Sequence, residues 1–105
     1  MKSIKYSSLL FLAASLAAGA AAAADTTGYV KITQTKAWTN DDFHVNMEDV
    51  AAGRQTCGNN FEFRLAKAQG EIFRSLTAAQ LSGRPVQLQY SCTGTVAYIS
   101  GFRML

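Results

Sequence analysis

The chain has 105 residues and a formal net charge of +3, but residues 25–105 hold eight Lys/Arg against seven Asp/Glu with no basic run. That balance argues against a nucleic-acid partner. Nine aromatic side chains among those 81 positions exclude a disordered chain, and the length leaves room for one domain.

Residues 1–24 read as an export signal. Lys2 and Lys5 give the positive start, Leu9 to Leu16 the apolar centre, and Ala22-Ala23-Ala24 the small-residue cleavage pattern. No later stretch approaches the ~20 apolar residues of a membrane helix, so no membrane span is expected in the mature form. Export places Asp25–Leu105 in an oxidising compartment, periplasmic or secreted. Two cysteines there allow one internal pairing, Cys57–Cys92, and free thiols or an intermolecular bridge are the alternatives. Closing a loop of about 36 residues would stabilise by roughly 3–4 kcal/mol. A domain this small needs such a staple, because it buries only about 60–65% of its unfolded surface.

After a polar lead, Tyr29–Thr35 is β-branched and partly alternating, which predicts a first strand. Lys36–Asp42 has turn chemistry. Phe43–Met47 alternates, with Phe43, Val45 and Met47 on one face and His44 and Asn46 on the other, giving a second strand in a hairpin with the first. Val50–Asn60 reads as a loop. Phe61–Leu65 predicts a third strand with Phe61, Phe63 and Leu65 inward. From Gly70 the period changes: Ile72, Phe73, Leu76 and Ala79 mark one helical face over Glu71–Ser82. Glu71 suits the first turn, Gly83 the left-handed cap, and Pro85 blocks continuation. Val86–Tyr90 and Val96–Leu105 predict the last two strands around a Ser91–Thr95 turn, with Gly101 marking a bulge or close contact.

The order β-β-β-α-β-β is that of a five-stranded oligonucleotide/oligosaccharide-binding (OB-like) barrel, mostly β with one helix between strands 3 and 4. An open antiparallel α+β sheet with one packed helix is the alternative.

Chemistry-bearing residues are few. His44 is the sole histidine and reads as an exposed or half-exposed strand residue, without the partners of a metal site or the nucleophile of a triad. Asp41-Asp42 and Glu48-Asp49 resemble paired carboxylates, but neighbouring turn residues project apart. Arg54 reads as a solvated loop cation, and Phe61, Phe63 and Phe73 as core. No cofactor, catalytic or metal motif is present, and a non-enzymatic protein is expected. Trp38 is more informative. The sole tryptophan lies in a polar turn beside Thr39, Asn40, Asp41 and Asp42, joining an apolar ring to amides and carboxylates as sugar recognition does. Trp38, Thr39, Asn40 and Asp42 are therefore the candidate ligand site, with a cap on the end of the barrel as the competing role for Trp38.

Cys57, the Phe61–Leu65 strand, the Glu71–Gly83 helix, Pro85–Tyr90, Cys92 and the terminal strand Ala97–Leu105 follow one another in a recognisable layout. This layout resembles the binding (B) subunits of bacterial AB-type toxins of the pertussis-like and subtilase-type superfamily, and small exported bacterial proteins of the same plan. Leu81–Tyr90 is similar to their helix-to-strand passage and Ala97–Phe102 to their closing strand. The resemblance implies an oligosaccharide-binding barrel, often a homo-oligomeric ring of five whose helices line the centre. The expected function is a binding module for glycans or a protein partner. A periplasmic or secreted inhibitor or accessory interaction protein without a sugar site is the alternative.

Overall fold

The computed structural model describes residues 24–105. The export segment expected over residues 1–24 lies outside the described residues, Ala24 excepted. The elements are β1 (Asp25–Thr26), β2 (Ile32–Lys36), β3 (Phe43–Met47), a 3-10 turn (Ala51–Gly53), β4 (Glu62–Leu65), α1 (Gly70–Ser82), β5 (Val86–Thr93) and β6 (Val96–Met104). None of the described helices is long and apolar enough to cross a membrane.

The six strands form one sheet in the order β1-β5-β6-β4-β3-β2. This corrects the expected five-stranded barrel: the described residues are mostly β, an open mixed sheet with one α-helix. The cause lies in the chain ahead of β3, which changes partners along its length. Asp25 and Thr26 pair with Tyr90 and Gln89, and Val30 bridges Val86, whereas Ile32 to Lys36 pair with β3. The expected polar lead thus supplies β1, the expected first strand Tyr29–Thr35 contracts to β2, and the two sit at opposite edges of the sheet. The segment between them stays hydrogen-bonded on the way. Thr27 and Val30 N–H donate to the Leu88 and Val86 carbonyls, and Glu48 N–H donates to that of Lys31. Gly28 lets this crossing pass close to the 3-10 turn, since a Cβ there would sit 2.9 Å from that of Ala52.

The sheet also departs from the antiparallel alternative at one place. β4 and β6 run parallel, with Arg64 opposite Tyr98. A parallel pair needs a crossover connection, which α1 and β5 supply. The helix matches its predicted span to within one residue, and Gly83 takes the left-handed conformation (φ 69°), its N–H reaching the Ala79 and Gln80 carbonyls.

The core follows the alternation: Phe43, Val45 and Met47 from β3, Phe63 and Leu65 from β4, Val86, Leu88 and Tyr90 from β5, and Ala97 and Ile99 from β6. Leu76 and Ala79 close it from the helix. Two expected core aromatics are corrected. Phe61 precedes β4 and is half-buried under the Arg54 guanidinium, 5.1 Å from its ring centroid. Phe73 is half-buried at the helix edge, stacked on Phe43 at 4.1 Å. β5 extends to Thr93, so the expected Ser91–Thr95 turn contracts to a tight link through Gly94 (φ 62°). In β6 the pairing jumps from Gln89–Gly101 to Tyr90–Ile99, leaving Ser100 as an extra residue beside Gly101. Beyond this bulge Phe102 and Met104 turn back toward the core, one residue out of phase with Ile99.

Cys57 and Cys92 are disulfide-bonded and tie the Arg54–Asn60 loop to the end of β5. That loop is organised by Gln55, a buried amide with no local sequence signature. Its Nε2 donates to Asn60 Oδ1 (3.0 Å) and the Glu62 carbonyl (3.2 Å), and its Oε1 accepts from Gly58 N–H. Nearby, Thr56 N–H donates to the Tyr90 hydroxyl at 3.1 Å.

Candidate functional site

The outward positions of β3 and β4, and Tyr98 of β6, carry polar side chains where their neighbours in the strand face the apolar core. Register sets them side by side: His44 opposite Arg64, Asn46 opposite Glu62, and Arg64 opposite Tyr98. The result is a polar face of His44, Asn46, Glu62, Arg64 and Tyr98 on the side of the sheet away from the core. His44 Nδ1 lies 2.9 Å from Glu62 Oε2.

The β2–β3 loop, residues 37–42, is fastened to this face. The Tyr98 hydroxyl donates to Asp42 Oδ2 at 2.6 Å. The bond raises the Tyr98 pKa above the ordinary phenol value, because ionising the hydroxyl would destroy the bond and set two anions together. Partial burial adds to this rise and the nearby Arg64 opposes it. Asp41 reaches back toward His44, its Oδ2 3.8 Å from Nε2, while its Oδ1 accepts from Asp42 N–H. At the loop's other end the Trp38 carbonyl accepts from Lys67 Nζ (2.7 Å), whose ammonium lies 4.7 Å from the Phe43 ring centroid. Asn40 takes a left-handed conformation (φ 62°), which asparagine tolerates and a tight loop needs.

Held this way, Trp38 is 56% exposed and does not fold onto the core as a cap. Thr39 and Asn40 are exposed beside it. The four residues singled out from the sequence are therefore together on one loop but differ in kind. Trp38, Thr39 and Asn40 face solvent, whereas Asp42 is engaged with Tyr98 and acts as the loop's anchor.

His44 is more enclosed than a solvated strand residue, with 13% of its side chain exposed, and its neighbours within ion-pair range are the carboxylates of Glu62 and Asp41. A carboxylate on each side orients the ring but supplies no nucleophile. Asp41 and Asp42 project to different partners, His44 and Tyr98, so they make no working acid–base pair. Among the described residues no group of three or more His, Cys, Asp or Glu is placed to hold a metal ion.

No local feature of the sequence singles out Asn46, Glu62, Arg64 and Tyr98 as a group. Alternation within each strand puts them outward, but only the pairing of β3 with β4 and of β4 with β6 brings them together. A second feature lies elsewhere on the sheet. An open groove of about 440 Å³ is lined by Thr26, Gln87, Gln89, Gly101, Phe102 and Arg103. Part of its lining, Gly101 to Arg103, belongs to the bulged stretch of β6.

The chain matches no family model, and no curated protein matches it.

Proposed function

We propose that the mature chain is an exported, non-enzymatic binding module of the toxin B-subunit type that recognises glycans through the β2–β3 loop. The observation that carries this reading is the exposure of Trp38, the sole tryptophan, on a loop moored by Asp42 and Lys67. An indole held out to solvent offers a flat apolar surface to one face of a sugar ring, and its mooring lowers the entropy lost on binding. Thr39 and Asn40 supply a hydroxyl and an amide for sugar hydroxyls, and the polar face beneath extends the surface. The loop stands at one edge of the open mixed sheet, between β2 and β3, where it is free on its outer side. A shallow site of this kind gains from repetition, so assembly into a ring would raise avidity.

A glycan array with the oxidised 25–105 protein, wild type and Trp38→Ala, tests the reading. Binding to a restricted set of glycans, lost in a Trp38→Ala protein that melts at the wild-type temperature, is the expected result. A stable variant with an unchanged profile would refute the loop as the site.

A further inference from the structure

We propose that His44 is a protonation-dependent positioning residue that draws the Trp38 loop onto the sheet when it becomes charged; the consequence for ligands rests on that loop being the binding element. An ionised carboxylate only accepts hydrogen bonds, so the contact of Nδ1 with Glu62 Oε2 at 2.9 Å places the proton of neutral His44 on Nδ1. Nε2 is then a bare acceptor. It is shielded from solvent, has no hydrogen-bond partner, and faces Asp41 Oδ2 at 3.8 Å. Two acceptors confronting each other add no hold at Asp41 beyond the neighbouring Asp42–Tyr98 bond. Adding a proton at Nε2 turns the same pair into a charge-assisted donor and acceptor. Asp41 belongs to the loop that carries Trp38, and a movement of about 1 Å brings it to ordinary hydrogen-bond range.

Four charged groups surround His44: the carboxylates of Glu62 from β4 and Asp41 from the loop, and the cations of Arg64 from β4 and Lys36 from β2, each paired across from it in the ladder. Asp42 is occupied by Tyr98 of β6. Histidine is the side chain whose ordinary titration falls between about pH 5 and 8, and this chain has one. It also has one tryptophan, three residues from Asp41, so the loop carries its own reporter.

The test needs no ligand, so it can fail or succeed separately from the glycan reading. Trp38 emission and its quenching by acrylamide are followed from pH 8 to pH 5 in wild type, His44→Gln and Asp41→Asn, with far-UV circular dichroism as the check on folding. Wild type is expected to pass through one sigmoidal transition toward lower quenching at acid pH. Both variants should remain at the high-pH level, which separates His44 from the α-amino group. The Asp41→Asn change alters an exposed carboxylate and keeps the test decisive if His44→Gln does not fold. A flat wild-type profile, or the same transition in Asp41→Asn, overturns the proposal. For any glycan that binds, affinity should rise roughly two- to fivefold between the two pH limits, the scale of an exposed ion pair, and only in wild type.

Discussion

Replacing Tyr98 by Phe removes one oxygen atom and with it the bond that fastens Asp42, at the end of the β2–β3 loop, to the sheet. At 2.6 Å the contact has the length of a charge-assisted O–H···O⁻ bond. Bonds to charged groups contribute about 1.5–3 kcal/mol where they are shielded from water. Here both residues are half-buried, and the abandoned carboxylate of Asp42 can be rehydrated, so screening brings the expected loss down to about 1 kcal/mol. With a urea slope near the lower end for small domains, about 1 kcal/mol/M, the unfolding midpoint should fall by roughly 1 M. Circular dichroism should report this global change. The Trp38 anisotropy should fall separately in the folded baseline, because the loop keeps its Lys67 mooring but loses the one at Asp42. A midpoint change below about 0.3 M with unchanged anisotropy would show that Tyr98 does not hold the loop, and would refute the reasoning.

Three further outcomes are expected. Reducing Cys57–Cys92, or changing both cysteines to Ala, should cost roughly 3–4 kcal/mol for the 35-residue separation, which reversible urea unfolding with and without reductant will read. Leu76→Ala, at a fully buried helix position, should cost about 2–5 kcal/mol and more than Phe73→Ala, since Phe73 is only half-buried; equal or inverted losses in parallel melts would mean the helix is turned differently. Because folding raises the Tyr98 pKa, its contribution is complete below the unfolded phenol value of about 10 and is lost as pH rises through the higher folded value. Urea midpoints between pH 8 and pH 11 should therefore converge for wild type and Tyr98→Phe at the alkaline end.

The parts of the fold legible in the sequence are those decided within one element. β3 occupies the expected Phe43–Met47, and the helix ends at the expected Gly83, because side-chain period and left-handed glycine geometry are local properties. What was not legible depends on partners distant in the chain. Nothing in Tyr29–Thr35 announces that Val30 will pair with Val86 and Ile32 with Met47, so where this stretch leaves one edge of the sheet for the other follows from which edges the sheet presents. The Ser100 bulge left a hint in Gly101, but its effect, returning Phe102 to the core side, is a matter of register with β5. Alternation for Phe61 and the helical repeat for Phe73 point both into the core, but periodicity does not say how far the core extends, and both lie at its margin, where a cation or a second ring covers them.

The same division holds for the site. Trp38 stood out by composition, because an indole among Thr39, Asn40, Asp41 and Asp42 is out of place in a solvated turn. His44 was visible but judged from its own strand, where it has only Phe43 and Val45 beside it. Its surroundings come from β4 and the loop, and Tyr98 enters from a strand more than fifty residues away. Alternation says which residues face outward; strand order says which outward residues meet.

The central claim, that the Trp38 loop and the polar face beneath it receive a glycan, is tested most directly by amide chemical-shift mapping of the ¹⁵N-labelled protein with a glycan that the array selects. The account predicts that perturbations concentrate at residues 37–46, 62–64 and 98. Perturbations confined to Gln87, Gln89, Gly101 and Arg103 would move recognition to the groove on the other part of the sheet and contradict the claim.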